Sequence, residues 1–466
     1  MGFEAASRPP PSPSWLCSRS PPSARLSPRH LSVTPASSST CKSTALCCSG
    51  DSTKPSSSPS TRSYSRRWYN PLRRGPPEDR PSPEIVRRWI EADQPLASQA
   101  KFTVVSYNIL GDKNALKHRD LYTNIPSLYM KWERRKHVIC EELMGWNPDI
   151  ICLQEVDKYF ELSKILERAG YVGSYKRRTG DAVDGCAIFW KANEFWLLEE
   201  ESINFKELGL RDNVAQLSVF QACKAESKQL LVGNIHVLYN PSRGDVKLGQ
   251  IRHLSSRAHI LSEKWGSIPV LLAGDFNSTP QSAIYKFLST SKLDIMSYDR
   301  RELSGQRSCH PAQVFGEKQD LSNSLFLIDR FLTCGWTDEE IKTAGGKAEG
   351  EVVAHPLYLK SSYATIRGSA RTRDSNGEPL ATSYHSKFFG TVDYIWYSKG
   401  LAPTRVLDTP PVDILRRTGG LPCKKVGSDH LALVSEFAFT QASDVGKGTL
   451  VATSRMQQLH PGDKAQ

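Results

Sequence analysis

The chain has 466 residues, 39% of them hydrophobic and 24% charged, with a mean hydropathy of −0.44. That is enough apolar residue for a sizeable core, which excludes a wholly disordered chain. No run approaches the roughly 18 apolar residues of a membrane span, and no solenoid or heptad repeat is present. The net charge is +12, of which the first hundred residues carry +7 (14 Lys and Arg against 7 acidic), so the remainder is a mildly basic surface that suits a polyanion without naming one.

Residues 1–70 are Ser- and Pro-rich, with nine Lys and Arg against only Glu4 and Asp51. Such a segment does not bury enough surface to offset its ordering entropy and is predicted to be disordered. Ser-rich, Arg-containing and acid-poor is also the composition of an organelle transit peptide, which would send the protein to a plastid or mitochondrion; nucleus and cytoplasm are the alternative. Residues 71–100 read as a linker with a short helical stretch over 83–92. The folded domain is predicted over 101–440, followed by a second disordered tail, 441–466.

Within that domain, apolar strands alternate with helical patterns. Strands are predicted at 102–110, 149–156, 185–190, 215–221, 229–238, 269–276, 390–397 and 431–437. Helices are predicted at 129–145, ended by Gly145 and Pro148, at 158–169 and at 246–265. A further helix after 269–276 would be capped by Ser278 or Thr279, with Pro280 in its first turn. Residues 297–355 read as an irregular insertion. Strands apolar on both faces imply sheets buried on both sides, hence a layered α/β sandwich. The 11 Cys form no CxxC pair, which points to a reducing compartment and away from a zinc site.

Polar residues recur where these apolar runs end or begin. Asn108 closes FTVVSYN, Glu155 closes DIICLQE, and His236 lies in LLVGNIHVL. Asp275 and Asn277 follow PVLLAG, Asp393 stands inside GTVDYIWY, and Asp429 and His430 precede LALVSEF. A lone Asp or Asn at a strand end is usually a turn former or a cap. Glu155 on a core-facing parity and Asp393 inside an apolar strand need a partner, because an unpaired buried carboxylate is costly. Six such sites, without a Ser or Cys nucleophile motif, fit metal-assisted phosphodiester cleavage. Asn and carboxylate oxygens suit Mg²⁺, a carboxylate can activate water, and an Asp–His pair can keep an imidazole charged beside a phosphate.

The segments SYNIL, LQEVD, DGCAIFW, NIHVLYNP, AGDFNSTP, GTVDYIWYS and GSDHLAL occur in the order expected of the endonuclease/exonuclease/phosphatase superfamily. Over roughly 100–440 the chain resembles its carbon catabolite repressor 4 type deadenylases, with nocturnin and Angel as relatives. The resemblance implies a four-layer sandwich of two packed mixed β-sheets flanked by helices. It also implies a Mg²⁺-dependent 3′→5′ exoribonuclease, with Mn²⁺ able to replace Mg²⁺, acting on single-stranded RNA at the 3′ poly(A) tail and releasing 5′-AMP. Alternatives are a nocturnin- or Angel-like phosphatase acting on NADP(H) or RNA ends, and a catalytically dead RNA-binding module.

By the same resemblance, Glu155 is the principal metal ligand, with Asn108 and Asp429 on the metal side. Asp275 orients the attacking water, Asn277 positions phosphate, Asp393 and His430 form the Asp–His pair, and His236 contacts phosphate. Phe388 and Pro241, the latter after Asn240, would sandwich the terminal adenine. The leucine-rich repeat by which carbon catabolite repressor 4 docks to the Caf and Not subunits has no counterpart in this sequence.

Overall fold

The computed structural model describes residues 84–93, 100–225, 227–316, 335–346 and 351–440. The tails 1–70 and 441–466, and the greater part of the expected linker, lie outside the described residues.

Two mixed sheets pack face to face. The first has seven strands in the spatial order Trp89–Glu91, Leu401–Leu407, Leu433–Phe439, Lys101–Asn108, Ile150–Gln154, Gly185–Lys191, Tyr171–Arg177. The second has six, in the order Lys360–Ser361, Asp393–Tyr397, Val270–Asp275, Gln229–His236, Val214–Ala222, Phe195–Asn204. Period two sorts the side chains. Val104, Cys152 and Ile188 face inward against Phe220, Val232, Leu271 and Ile395 of the other sheet. Val105, Tyr107, Ile151 and Leu153 face outward, under helices Trp132–Trp146 and Tyr159–Arg168. The outer face of the second sheet, with Leu217, Leu231 and Leu272, is covered by helices Gly244–Lys264 and Ala283–Thr290. Four layers follow from that alternation.

Each sheet holds one parallel pair: Lys101–Asn108 beside Ile150–Gln154, and Gln229–His236 beside Val270–Asp275. Parallel neighbours end at the same rim, and an antiparallel neighbour begins there. Asp393 opens the strand antiparallel to Val270–Asp275, and Asp429 and His430 just precede the one antiparallel to Lys101–Asn108. This topology brings residues from six separate stretches of sequence to one edge of the sandwich.

Several expectations change. The stretch expected as a helix over 83–92 contains the strand Trp89–Glu91, because a free sheet edge outweighs local propensity. The helix expected over 129–145 is broken at Lys131, whose backbone is extended, into Ser127–Met130 and Trp132–Trp146. Neither Ser278 nor Thr279 caps the helix after 269–276. Its cap is Ser282, whose Oγ accepts from Tyr285 N at 3.2 Å, while Ser278 and Thr279 donate to Phe276 O and Ser304 O. The described residues of the 297–355 insertion are not all irregular. They include helix Asp338–Gly345, closed by a capping box between Thr337 and Glu340, and strand Val352–Ala354, paired with Lys292–Asp294. The strands Phe195–Asn204 and Leu401–Leu407 escape the sequence reading because charged or Pro residues interrupt their apolar pattern.

The edge strand carries a testable consequence. Arg405 stacks over the Trp89 ring at 4.5 Å, and Arg87 donates to Leu407 O and Asp408 O. A chain beginning at Lys101 is expected to lose about 2 kcal/mol of stability relative to one beginning at Glu84, from half-buried Trp89 and Ile90 and the cation–π contact. Its catalytic rate should be unchanged. Equal melting temperatures for the two chains would show that the edge strand adds nothing.

Candidate active site

The polar rim lines a cleft of about 260 Å³. Its floor is set by backbone that leaves the strands sharply. Glu155 and Asn277 each follow a strand directly or within two residues and adopt positive φ, 57° and 46°. Non-glycine residues hold this conformation only when their surroundings enforce it, and they concentrate at functional sites. Gly274, at φ 152°, lies where a Cβ would meet Ile235 O at 2.0 Å. Only glycine permits that close approach, which sets His236 opposite Asp275.

Asn108 links the two sheets' acids. Its Nδ2 donates to Glu155 Oε1 and to Asp275 Oδ2, both at 3.1 Å, and its Oδ1 accepts from Leu110 N. The other Glu155 oxygen accepts from Asn114 Nδ2 at 2.8 Å and Gly111 N at 3.1 Å. Asp275 Oδ1 accepts from Asn277 N at 2.8 Å. Around its Oδ2 stand His236 Nε2 at 3.6 Å and His430 Nε2 at 4.0 Å. Asp393 Oδ2 lies 2.8 Å from His430 Nδ1 and accepts from Thr382 Oγ1 at 2.6 Å. Asp429 Oδ2 accepts from Tyr122 OH at 2.9 Å.

The electrostatics follow from this crowding. Burial, then Asp184 and Asp429, raises the Glu155 carboxyl. Burial, then Asp393, raises Asp275. Burial opposes charge on His430, but Asp393, followed by Asp429 and Asp275, outweighs it and holds the imidazole well above the ordinary histidine range. His236 is lowered, chiefly by burial, and its Nδ1 is enclosed without a hydrogen-bond partner.

Seven of the residues singled out from sequence line the cleft: Glu155, His236, Asp275, Asn277, Phe388, Asp429 and His430. Asn108 and Asp393 stand behind them. Asn240 and Pro241 are not among the lining residues: Asn240 is exposed and accepts from Ser242 N, and the half-buried Pro241 accepts through its carbonyl from Ser304 Oγ. Of the two adjacent Phe, Phe389 packs into a side core with Tyr384 and Leu421, whereas Phe388, 7% exposed, borders the cleft.

Sequence reasoning missed the supports. Lys247, wholly buried in the long helix, donates to Asn277 O at 2.7 Å and to Gln306 Oε1. Gln306, from the insertion, donates to Asn277 Oδ1 at 3.0 Å. Arg135 donates to Ile109 O and Leu110 O, fixing the turn after Asn108. Thr382, Asn114, Tyr122, Arg178 and His385 were also passed over. Only Lys247, a lone cation between apolar helix positions, left a readable signal.

Hard oxygens dominate the donor set, which suits a divalent cation such as Mg²⁺ or Mn²⁺. Asp275, Asp393 and His430 offer atoms within 4.8 Å of one another, but the Asp393–His430 contact is itself a hydrogen bond that a shared ion would break. The carboxylates of Glu155, Asp275 and Asp429 fit better, since all three border the cleft and a cation would relieve the repulsion between Glu155 and Asp429. Asn108 holds the acids in place: its nitrogen bridges Glu155 and Asp275, and its oxygen accepts from Leu110 N with a second lone pair to spare.

A two-sheet sandwich gathering carboxylates, amides and an Asp–His pair on one rim is a phosphoester-hydrolase architecture. A model of the endonuclease/exonuclease/phosphatase family matches residues 105–430, and the chain belongs to that family. It is 58% identical over 414 residues to carbon catabolite repressor protein 4 homolog 3 of Arabidopsis thaliana, spanning 87% of this chain and 92% of the relative. Homolog 5 of the same plant is 47% identical over 380 residues, spanning 79% and 84%. Among solved structures, that of ANGEL2, a 2′,3′-cyclic phosphatase, in complex with adenosine-2′,3′-vanadate superposes with a TM-score of 0.61 at 31% identity, covering 76% of this chain and 99% of that one.

Proposed function

We propose that the protein is a divalent-metal-dependent 3′→5′ exoribonuclease that shortens poly(A) and releases 5′-AMP. The observation that carries this is an aromatic side chain, Phe388, bordering a cleft whose other wall holds Glu155, Asp275 and the charged His430. A base stacked on Phe388 leaves its phosphate beside the acids. The similarity to carbon catabolite repressor protein 4 homologs supports the same reading.

Glu155, with Asp275 and Asp429 beside it, would hold the cation, which neutralises charge developing on the phosphate. Asp275, fixed by Asn108 and Asn277 N, takes a proton from the attacking water. His430, kept charged by Asp393, donates to a phosphate oxygen. Asn277 gives one amide hydrogen to Val237 O and keeps the other for the phosphate. Water adds to phosphorus as the P–O bond to the 3′-oxygen of the preceding nucleotide breaks; that oxygen takes a proton from solvent to become the new 3′-hydroxyl, and AMP departs.

A second reading is hydrolysis of a 2′,3′-cyclic phosphate at an RNA end, favoured by the likeness to ANGEL2. Chromatography of the small products separates the two. An RNA with an A-tail ending in a 3′-hydroxyl should yield AMP. Conversion only of a cyclic-phosphate end, with no AMP from the hydroxyl end, would replace the first reading by the second.

Phe388→Ala is expected to cost about 1–3 kcal/mol in substrate use, the worth of one stacked base, with a larger loss on poly(A) than on poly(U) and little change in melting temperature. A destabilised protein with an unchanged A/U rate ratio would remove Phe388 from the site.

A further inference from the structure

His385 is 6% exposed yet borders the cleft. It stands opposite Phe388 in the antiparallel pair Ser383–His385 and Phe388–Gly390, joined by a two-residue turn, so its position is set by the backbone. Its ring lies 6.0 Å from that of Phe388, at an interplanar angle of 35°. On the other side it meets the Tyr122 ring edge-on at 6.4 Å, and Tyr122 is itself tied to Asp429.

The ring's two nitrogens differ. Nδ1 accepts from Lys387 N at 3.3 Å, which places the proton of the neutral imidazole on Nε2. Burial lowers this histidine to about 4, so the neutral form persists at physiological pH. Among the described residues Nε2 has no acceptor, and the residue borders the cleft. Once a ligand excludes water from the cleft, such a donor needs an acceptor from the ligand, and a site built around it rejects ligands that lack one.

We infer that His385 is a specificity-determining residue, whose Nε2–H donates to an acceptor of the nucleoside stacked on Phe388. The acceptor is a ring nitrogen of the base edge or the ribose 2′-oxygen. This rests on the reading of the cleft as the seat of an RNA 3′ end.

The test uses an octamer of adenylate whose 3′-terminal nucleoside is replaced by 1-deaza-, 3-deaza-, 7-deaza- or 2′-deoxyadenosine. With the wild-type chain, one of the four should lower kcat/KM about tenfold, the worth of one hydrogen bond. A deaza analogue would identify the base edge, and the deoxy analogue the ribose. His385→Ala should lose that discrimination, handling the sensitive analogue and the parent alike, whereas His385→Gln, which retains an N–H at similar reach, should recover part of it. If every analogue costs the same in His385→Ala as in the wild type, the histidine is structural and the inference is overturned while the RNA reading stands. If the wild type does not shorten the unmodified octamer, the RNA reading fails and takes the inference with it.

Discussion

Replacing Glu155 by Gln is expected to lower the hydrolytic rate on the order of 10³-fold at saturating Mg²⁺, the loss of several kcal/mol of transition-state stabilisation. Shape is retained, so the effect isolates charge. In the folded protein that charge stands close to Asp184 and Asp429 and is unfavourable without a cation, which is why the carboxyl is raised. Gln relieves this repulsion but turns an amide nitrogen toward one set of the donors that now serve Glu155, either Asn108 or Asn114 and Gly111. The two effects oppose, and the melting temperature should stay within a few degrees of the parent. A rate close to that of the parent would exclude Glu155 as the residue that holds the cation.

Asp393→Asn is expected to lower kcat on the order of 10²–10⁴-fold and to move the pH profile. The proposed mechanism requires Asp275 ionised and His430 protonated. The acid limb therefore lies above the ordinary carboxylate range near about 4, because burial and Asp393 raise Asp275. The alkaline limb lies above the ordinary histidine range, because Asp393 is the main support of the His430 charge. Removing the Asp393 charge lets both groups fall, so both limbs should shift to lower pH. A profile unchanged in position would show that Asp393 does not set the charge of His430.

The placement of the chemistry was legible because period two and the parity of strand ends are local properties. Asn108, His236 and Asp275 end strands of the two parallel pairs, and a reader of sequence sees each as a polar stop after an apolar run. What joins the two sheets, the hydrogen bond from Asn108 to Asp275, depends on the sheets facing each other, which no run of residues records. The insertion shows the same limit. Gln306 has an unremarkable sequence setting, yet from a segment expected to be irregular it fixes the Asn277 side chain, while Lys247 of the long helix holds the Asn277 backbone carbonyl. The strand Trp89–Glu91 was hidden for another reason, since its stability comes from a partner more than 300 residues away.

The most direct test is a time course of a 5′-labelled RNA ending in a run of adenylates, with Mg²⁺ and with excess EDTA. A ladder of one-nucleotide steps in Mg²⁺, abolished by EDTA, is the expected result. No shortening in Mg²⁺, or undiminished shortening in EDTA, would contradict a metal-dependent exonuclease in this cleft.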